Sequence, residues 1–135
     1  MEPNEQIVST IVTMTAAFHE GDIDGILRTY EPSAVVVGEP GKPAQGKTDL
    51  RAMFAAFIAL KPKFMYAGHD VIIAGDLALH LAPWHMTDVA PDGTKVQQRG
   101  LSVAVLRRQA DGRWLMVIDQ PHGDALLPEV APRAS

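Results

Sequence analysis

The chain has 135 residues, 47% hydrophobic and 21% charged, which suits one globular domain with a substantial core and leaves no room for a second. A net charge of −4, with Arg107-Arg108 as the only adjacent basic pair, argues against nucleic acid or an anionic membrane as the main partner. The absence of cysteine excludes disulfides, thiol catalysis and cysteine–zinc sites. No apolar run approaches the roughly 20 residues needed to span a bilayer. The polar, acidic start from Met1 to Gln6 lacks a signal-peptide pattern, so the reading is a cytoplasmic protein.

Asn4 is placed to cap a first helix, in which Ile7, Ile11, Met14 and Phe18 share one face and Val8 and Val12 widen it. Gly21 ends that helix, Asp22 caps a short second one carrying Ile23, Ile26, Leu27 and Tyr30, and Pro32 stops it. A short strand follows from Ala34 to Val37, then a loop from Gly38 to Gly46 rich in proline and glycine. The third helix starts at Lys47 or Thr48, buries Leu50, Met53, Phe54, Phe57 and Ile58, and ends at Lys61-Pro62. The pattern then turns to strands: Phe64 to Ala74 with a bend at Gly68, Leu77 to Val89, Thr94 to Arg107, and Arg113 to Gln120. Pro91-Asp92-Gly93 and Ala110-Asp111-Gly112 supply hairpin turns. Helices followed by long antiparallel strands predict an α+β fold, a curved antiparallel sheet forming a cone or half-barrel closed by the three N-terminal helices around a cavity. The segment 128–135 reads as a frayed tail.

Phe18-His19-Glu20-Gly21-Asp22-Ile23-Asp24, with Tyr30 beyond it, resembles the opening of ketosteroid isomerase-like proteins of the nuclear transport factor 2-like (cystatin-like) superfamily. Gly46-Lys47, Leu50-Arg51 and Phe54 resemble its third-helix motif. Gly75-Asp76-Leu77-Ala78, Trp84, Arg99-Gly100 and Asp111-Gly112-Arg113-Trp114 resemble its strand motifs. Val117-Ile118-Asp119-Gln120-Pro121-His122-Gly123 is similar to the ending of a bacterial SnoaL-like branch. The resemblance runs from about Ile7 to Leu127 and implies one domain over 1–127. The fold hosts isomerases, dehydratases, cyclases, epoxide hydrolases and non-enzymes, so it implies no single activity. The steroid isomerase's two oxyanion donors fall on Met14 and near Ala104, and its base near Gly38, beside Glu39. Of its supporting tyrosines, Tyr30 is kept and the other is Phe54. Δ5-3-ketosteroid isomerisation is therefore not expected.

Aligned by that resemblance, Asp119 points into the pocket, where apolar walls would raise its pKa and suit it to proton transfer. The alternative is a structural carboxylate paired with an arginine or a backbone amide. Tyr30 is either a pocket donor or a core tyrosine whose hydroxyl satisfies a carbonyl. His80 and His85, five apart on one strand, face opposite sides. The register chosen turns His85 inward with Leu79, Leu81 and Pro83 and turns His80 and Trp84 outward. A one-residue bulge would reverse it. His19 reads as structural, His69 as solvated, and Trp84 as stacking on Arg99. Asp119, His122 and Asp124 form no recognisable metal-ligand motif, so no metal and no cofactor is expected. The expected pocket is lined by Met14, Phe18, Tyr30, Met53, Phe57, Leu79, Leu81, Ser102, Leu115, Val117 and Asp119.

Two functions fit these residues. One is an isomerase-, cyclase- or hydratase-type enzyme acting on a small apolar molecule by acid/base chemistry, with Asp119 partnered by Tyr30 or His85. The other is a non-catalytic ligand-binding or dimeric interaction module. A homodimer is expected through the outer face of the sheet, assigned His80, Ala82, Trp84, Leu101, Val103, Val105, Trp114, Met116 and Ile118. The rival cover for that face is the segment from Leu126 to Val130 folding back.

Overall fold

A helix with an apolar stripe needs something to bury it against, and here it lies across the inside of a curved sheet. The computed structural model describes residues 1–128. Helix α1 spans Pro3–Glu20, with Pro3 in its first turn and Glu2, rather than Asn4, at the cap position. Ile7, Ile11, Met14 and Phe18 are buried as the spacing predicts, joined by Ala17, whereas Val12 is exposed. Gly21 closes the helix in the left-handed conformation. The Asp22 side chain then accepts from the Gly25 N–H at 2.9 Å to start α2 (Ile23–Leu27).

Strand β1 (Tyr30–Glu39) is longer than the Ala34 to Val37 expected. Its register against β7 shifts between Tyr30 and Val35, and Pro32 sits in that irregular stretch, where no ladder N–H is required. The expected loop after Gly38 contains an edge strand, β2 (Lys42–Gln45), hairpinned onto β1. Helix α3 (Lys47–Ala59) follows. The long bent strand expected next is two: β3 (Lys63–Tyr66) pairs with the far half of β5 (Leu77–Val89), and β4 (Asp70–Ala74) with its near half. Strands β6 (Lys95–Arg108) and β7 (Trp114–Gln120) complete the sheet.

The strand order is β2-β1-β7-β6-β5-β3, with β4 also on β5. The sheet is mixed rather than wholly antiparallel, because β1 and β7 run parallel. It is curved and unclosed. No helix among the described residues is long and apolar enough to cross a membrane.

Face assignment on β5 and β7 departs from the expected register. On β5 the buried residues are Ala78, His80 and Ala82, with Trp84 on the same side. Leu79, Leu81 and His85 lie on the outer face. On β7, Val105 pairs with Ile118 but Leu106 with Met116, so Val117 is the extra residue of a bulge. The bulge puts Trp114, Met116 and Asp119 on the inner face and takes Leu115 and Val117 off it. The physical reason is room. Helix α1 crosses the inner face, and Ala78, Ala82 and Ala104 let it approach where leucines would hold it off. The outer face keeps Leu101, Val103, Val105 and Ile118 as expected, together with Ile72, Leu79 and Leu81. His80, Ala82, Trp84, Trp114 and Met116 do not belong to it. Leu126 and Leu127 are exposed, and the rest of the suggested fold-back and the tail, 129–135, lies outside the described residues.

Candidate functional site

Between the helices and the inner face lies a cavity of about 270 Å³. Met14 and Phe18 of α1 form one wall, and Met53, Phe54 and Phe57 of α3 another. Phe64, Trp84 and Met86 close the side made by β3 and β5. Leu60, Pro62, Asp88 and Gln98 also line it. Tyr30, Asp119 and His122 are its polar groups beside Asp88 and Gln98, and no lysine or arginine of the described residues lines it.

Tyr30 and Asp119 stand on neighbouring parallel strands. The Tyr30 hydroxyl donates to Asp119 Oδ2 at 2.5 Å, with both residues buried. Burial pushes the Asp119 carboxyl above its ordinary range, while the Tyr30 hydrogen bond and the nearby His122 pull it back. Burial, then the Asp119 charge, holds the Tyr30 hydroxyl well above the usual phenol range. Asp119 Oδ1 carries no protein hydrogen bond among the described residues.

His122 is fixed by local structure. Its backbone N–H donates to Gln120 Oε1, and its Nε2 donates to the Gly38 carbonyl at 3.0 Å. That tautomer leaves Nδ1 as the acceptor when the ring is neutral. A Cβ on Gly38 would lie 2.6 Å from Met53 Sδ, so a larger residue there would push the Met53 side chain aside. Trp84 Nε1 donates to the Pro121 carbonyl at 2.7 Å, and its ring lies over Gly100, where a Cβ would meet it at 2.7 Å. Trp84 therefore does not stack on Arg99, whose cross-strand partner is His85. Asp124 Oδ1 accepts from the Leu101 N–H, and no three metal-ligating side chains converge among the described residues.

The profile of the SnoaL-like domain matches residues 11–117. The chain belongs to the SnoaL-like family. The solved structures it resembles agree on the fold. A candidate dehydratase of the NTF2-like family from Streptomyces avermitilis is 19% identical, with 86% of this chain and 92% of that one covered at a TM-score of 0.75. A ketosteroid isomerase-like protein from Erwinia carotovora atroseptica is 20% identical, with 88% and 94% covered at 0.74. The CaMKII hub of S. rosetta is 22% identical, with 89% and 95% covered, also at 0.74. No curated protein matches the sequence. At these identities the likeness shows the fold alone.

Of the residues expected in the SnoaL-like pocket, Met14, Phe18, Tyr30, Met53, Phe57 and Asp119 line the cavity. Leu79, Leu81, Leu115 and Val117 do not, for the register reasons above. His85 is exposed on the outer face. Ser102 is buried on the inner face and does not line the cavity. His69, expected in solvent, is exposed yet has Nδ1 2.8 Å from His80 Nε2. His19 is structural: its Nε2 accepts from the Phe64 N–H. Sequence reasoning missed Trp84 and Tyr66 as inner-face residues and the fixed pose of His122. The glycine opposite Trp84 was the available signal, since a large ring lying flat over a strand needs a partner without a side chain.

Proposed function

We propose that this SnoaL-like protein transfers a proton on a small uncharged apolar molecule, with Asp119 as the general acid or base. The observation that carries the reading is the buried Tyr30–Asp119 pair facing an apolar cavity. A carboxyl whose pKa burial raises is a stronger proton acceptor than a solvated one and can return the proton it takes, and Tyr30 holds it in one pose. His122, anchored on Gly38, is the second polar partner in place of His85. The aromatic walls and the absence of a lining cation favour an uncharged ligand over a carboxylate or phosphate ester. Met14 and Ala104 stand where steroid isomerases carry oxyanion donors, and neither can donate. Elimination or water addition therefore fits better than enolate chemistry.

The test is a panel of small neutral ketones, alkenes and alcohols incubated with the protein in D₂O. Proton NMR is expected to show deuterium entering carbon positions, or water adding, for a subset of them. Ligand-dependent quenching of Trp84 fluorescence with no exchange in any compound would support the non-catalytic binding module instead.

A homodimer through the outer face is the second part of the reading. Ile118 is 43% exposed and Ile72 55% exposed, beside a continuous run of Leu79, Leu81, Val103 and Val105. Monomers seldom leave so extended an apolar face in water, and an isologous two-fold contact is the usual cover. Some structures of this fold are hub or association domains, which agrees with assembly. Sedimentation at micromolar concentration is expected to give twice 14.6 kDa, falling to 14.6 kDa for Val103→Glu. Trp114→Glu, at a buried core position, would unfold the chain instead. A wild-type mass near 14.6 kDa would remove the dimer.

A further inference from the structure

Each polar side chain on the cavity wall has a limited stock of N–H and O–H groups, and around Asp119 every one of them is already engaged. The Tyr30 hydroxyl donates to Asp119 Oδ2. The Trp84 indole N–H donates to the Pro121 carbonyl. A carbonyl oxygen can only accept, so the 3.0 Å contact with Gly38 makes His122 Nε2 the protonated nitrogen. What remains at this end is acceptors. Asp119 Oδ1 and His122 Nδ1 have no protein partner among the described residues, and both residues line the cavity. The thioethers of Met14, Met53 and Met86 are weak acceptors and cannot donate. One side-chain donor is left on the wall, the amide of the exposed Gln98. It precedes Ala104, the cross-strand partner of Asp119, by six residues, roughly 20 Å of extended strand. Asp88, two residues beyond the Gln98 partner Met86, is a further carboxylate.

Asp119 is only 7% exposed, and a carboxylate oxygen without a partner in apolar surroundings is costly. A ligand O–H relieves that cost. A carbonyl or ether oxygen brings only further lone pairs to the same place. A ketone needs donors aimed at its oxygen, and the positions of the steroid isomerase donors hold Met14 and Ala104. We propose that the cavity selects a neutral apolar molecule by a hydroxyl group that donates to Asp119 Oδ1, with His122 Nδ1 as the second acceptor, and that it rejects the matching ketone and ether. Alcohols are thereby the class recognised by the proton-transfer site proposed above, on which this rests. An ammonium group would also meet these acceptors, but it would hold the carboxylate in an ion pair and oppose the transfer of a proton to it.

Binding alone tests this, without turnover. Four probes of one shape are titrated calorimetrically at about pH 8, above the usual titration ranges of carboxyl and imidazole groups. They are β-tetralol, its methyl ether, β-tetralone and protonated β-aminotetralin. β-Tetralol is expected to bind at least roughly 10-fold more tightly than the ether or the ketone, as suits a hydrogen bond to a charged acceptor. Asp119→Asn supplies the complementary result. With the asparagine Oδ1 kept on the Tyr30 hydroxyl, its NH₂ takes the place of Asp119 Oδ1, so the preference should turn toward the ketone. Should that variant fail to fold, the wild-type ratios decide alone. An alcohol that does not bind, or binds no better than the ketone or ether, would overturn the selectivity. So would tightest binding by the amine, which would put a cation in the hydroxyl's place. An unchanged preference in folded Asp119→Asn would overturn Asp119 Oδ1 as the acceptor. Alcohol preference with no deuterium exchange in any compound would remove the catalytic reading and leave the selectivity, whereas exchange without the preference would do the reverse.

Discussion

Asp119→Asn is expected to remove proton transfer while leaving the fold as stable as before or more so. The two side chains have nearly the same shape, and the asparagine Oδ1 can still accept from the Tyr30 hydroxyl that now lies 2.5 Å from the carboxylate. What disappears is the group that gains and loses a proton, and a positioned acid/base group contributes on the order of 10²–10⁴ in rate. The stability change follows from the pKa. Burial raises the folded pKa of Asp119 above its unfolded value, so the ionised carboxylate costs the folded state more than it costs the unfolded chain. Asparagine removes that charge. Thermal unfolding at pH 7 of both proteins decides the matter, alongside deuterium exchange on whichever compound of the panel responds. A marked fall in Tm would show that the carboxylate is a structural acceptor and not a base.

Much of the fold was legible because it is local. The period of Ile7, Ile11, Met14 and Phe18, the Gly21-Asp22 junction and the two Asp-Gly turns each follow from a few neighbouring residues, and each stands in the structure. The parallel contact of β1 with β7 is not local. It joins residues far apart in the chain, and neither strand announces its partner. Pro32 misled for a related reason. Proline forbids a ladder hydrogen bond, but the register shift around it means that none is needed there.

The candidate site shows where alternation stops being informative. Along β5 both faces are apolar, one against α1 and one outward, so hydrophobicity cannot choose between Leu79 with Leu81 and Ala78 with Ala82. Size can, since the face under a helix needs small residues. Asp119 was placed correctly and its strand neighbours were not, because the bulge at Val117 lies between them and reverses the alternation. A resemblance carried residue by residue crosses a bulge safely, whereas counting along a strand does not.

His80 should make the protein acid-labile in a window that its own pKa defines. Burial, with the neighbouring His69 adding to it, holds the folded His80 down at about 4, against 6.5 for the free side chain. The unfolded chain therefore binds a proton that the folded one refuses, and stability is lost as the pH falls from 6.5 through 4. That gap is worth about 3 kcal/mol once complete. The group faces Val71 on β4, the Tyr66 ring on β3 and His69, none of which offers a negative charge to soften the effect. Asp119 works in the opposite sense. Its raised pKa makes the folded state the better proton binder above pH 3.8, so it adds stability as the pH falls toward that value. Asp24, Asp92 and Asp111, all with lowered pKa values, lose their contributions only below 3.8 and stay out of the window. The comparison therefore belongs in the Asp119→Asn background. There, urea unfolding should weaken steeply between pH 6.5 and 4 with His80 present and stay nearly flat with His80→Gln. Equal slopes for the two would mean that His80 is protonated in the folded state and that the inner face admits the charge.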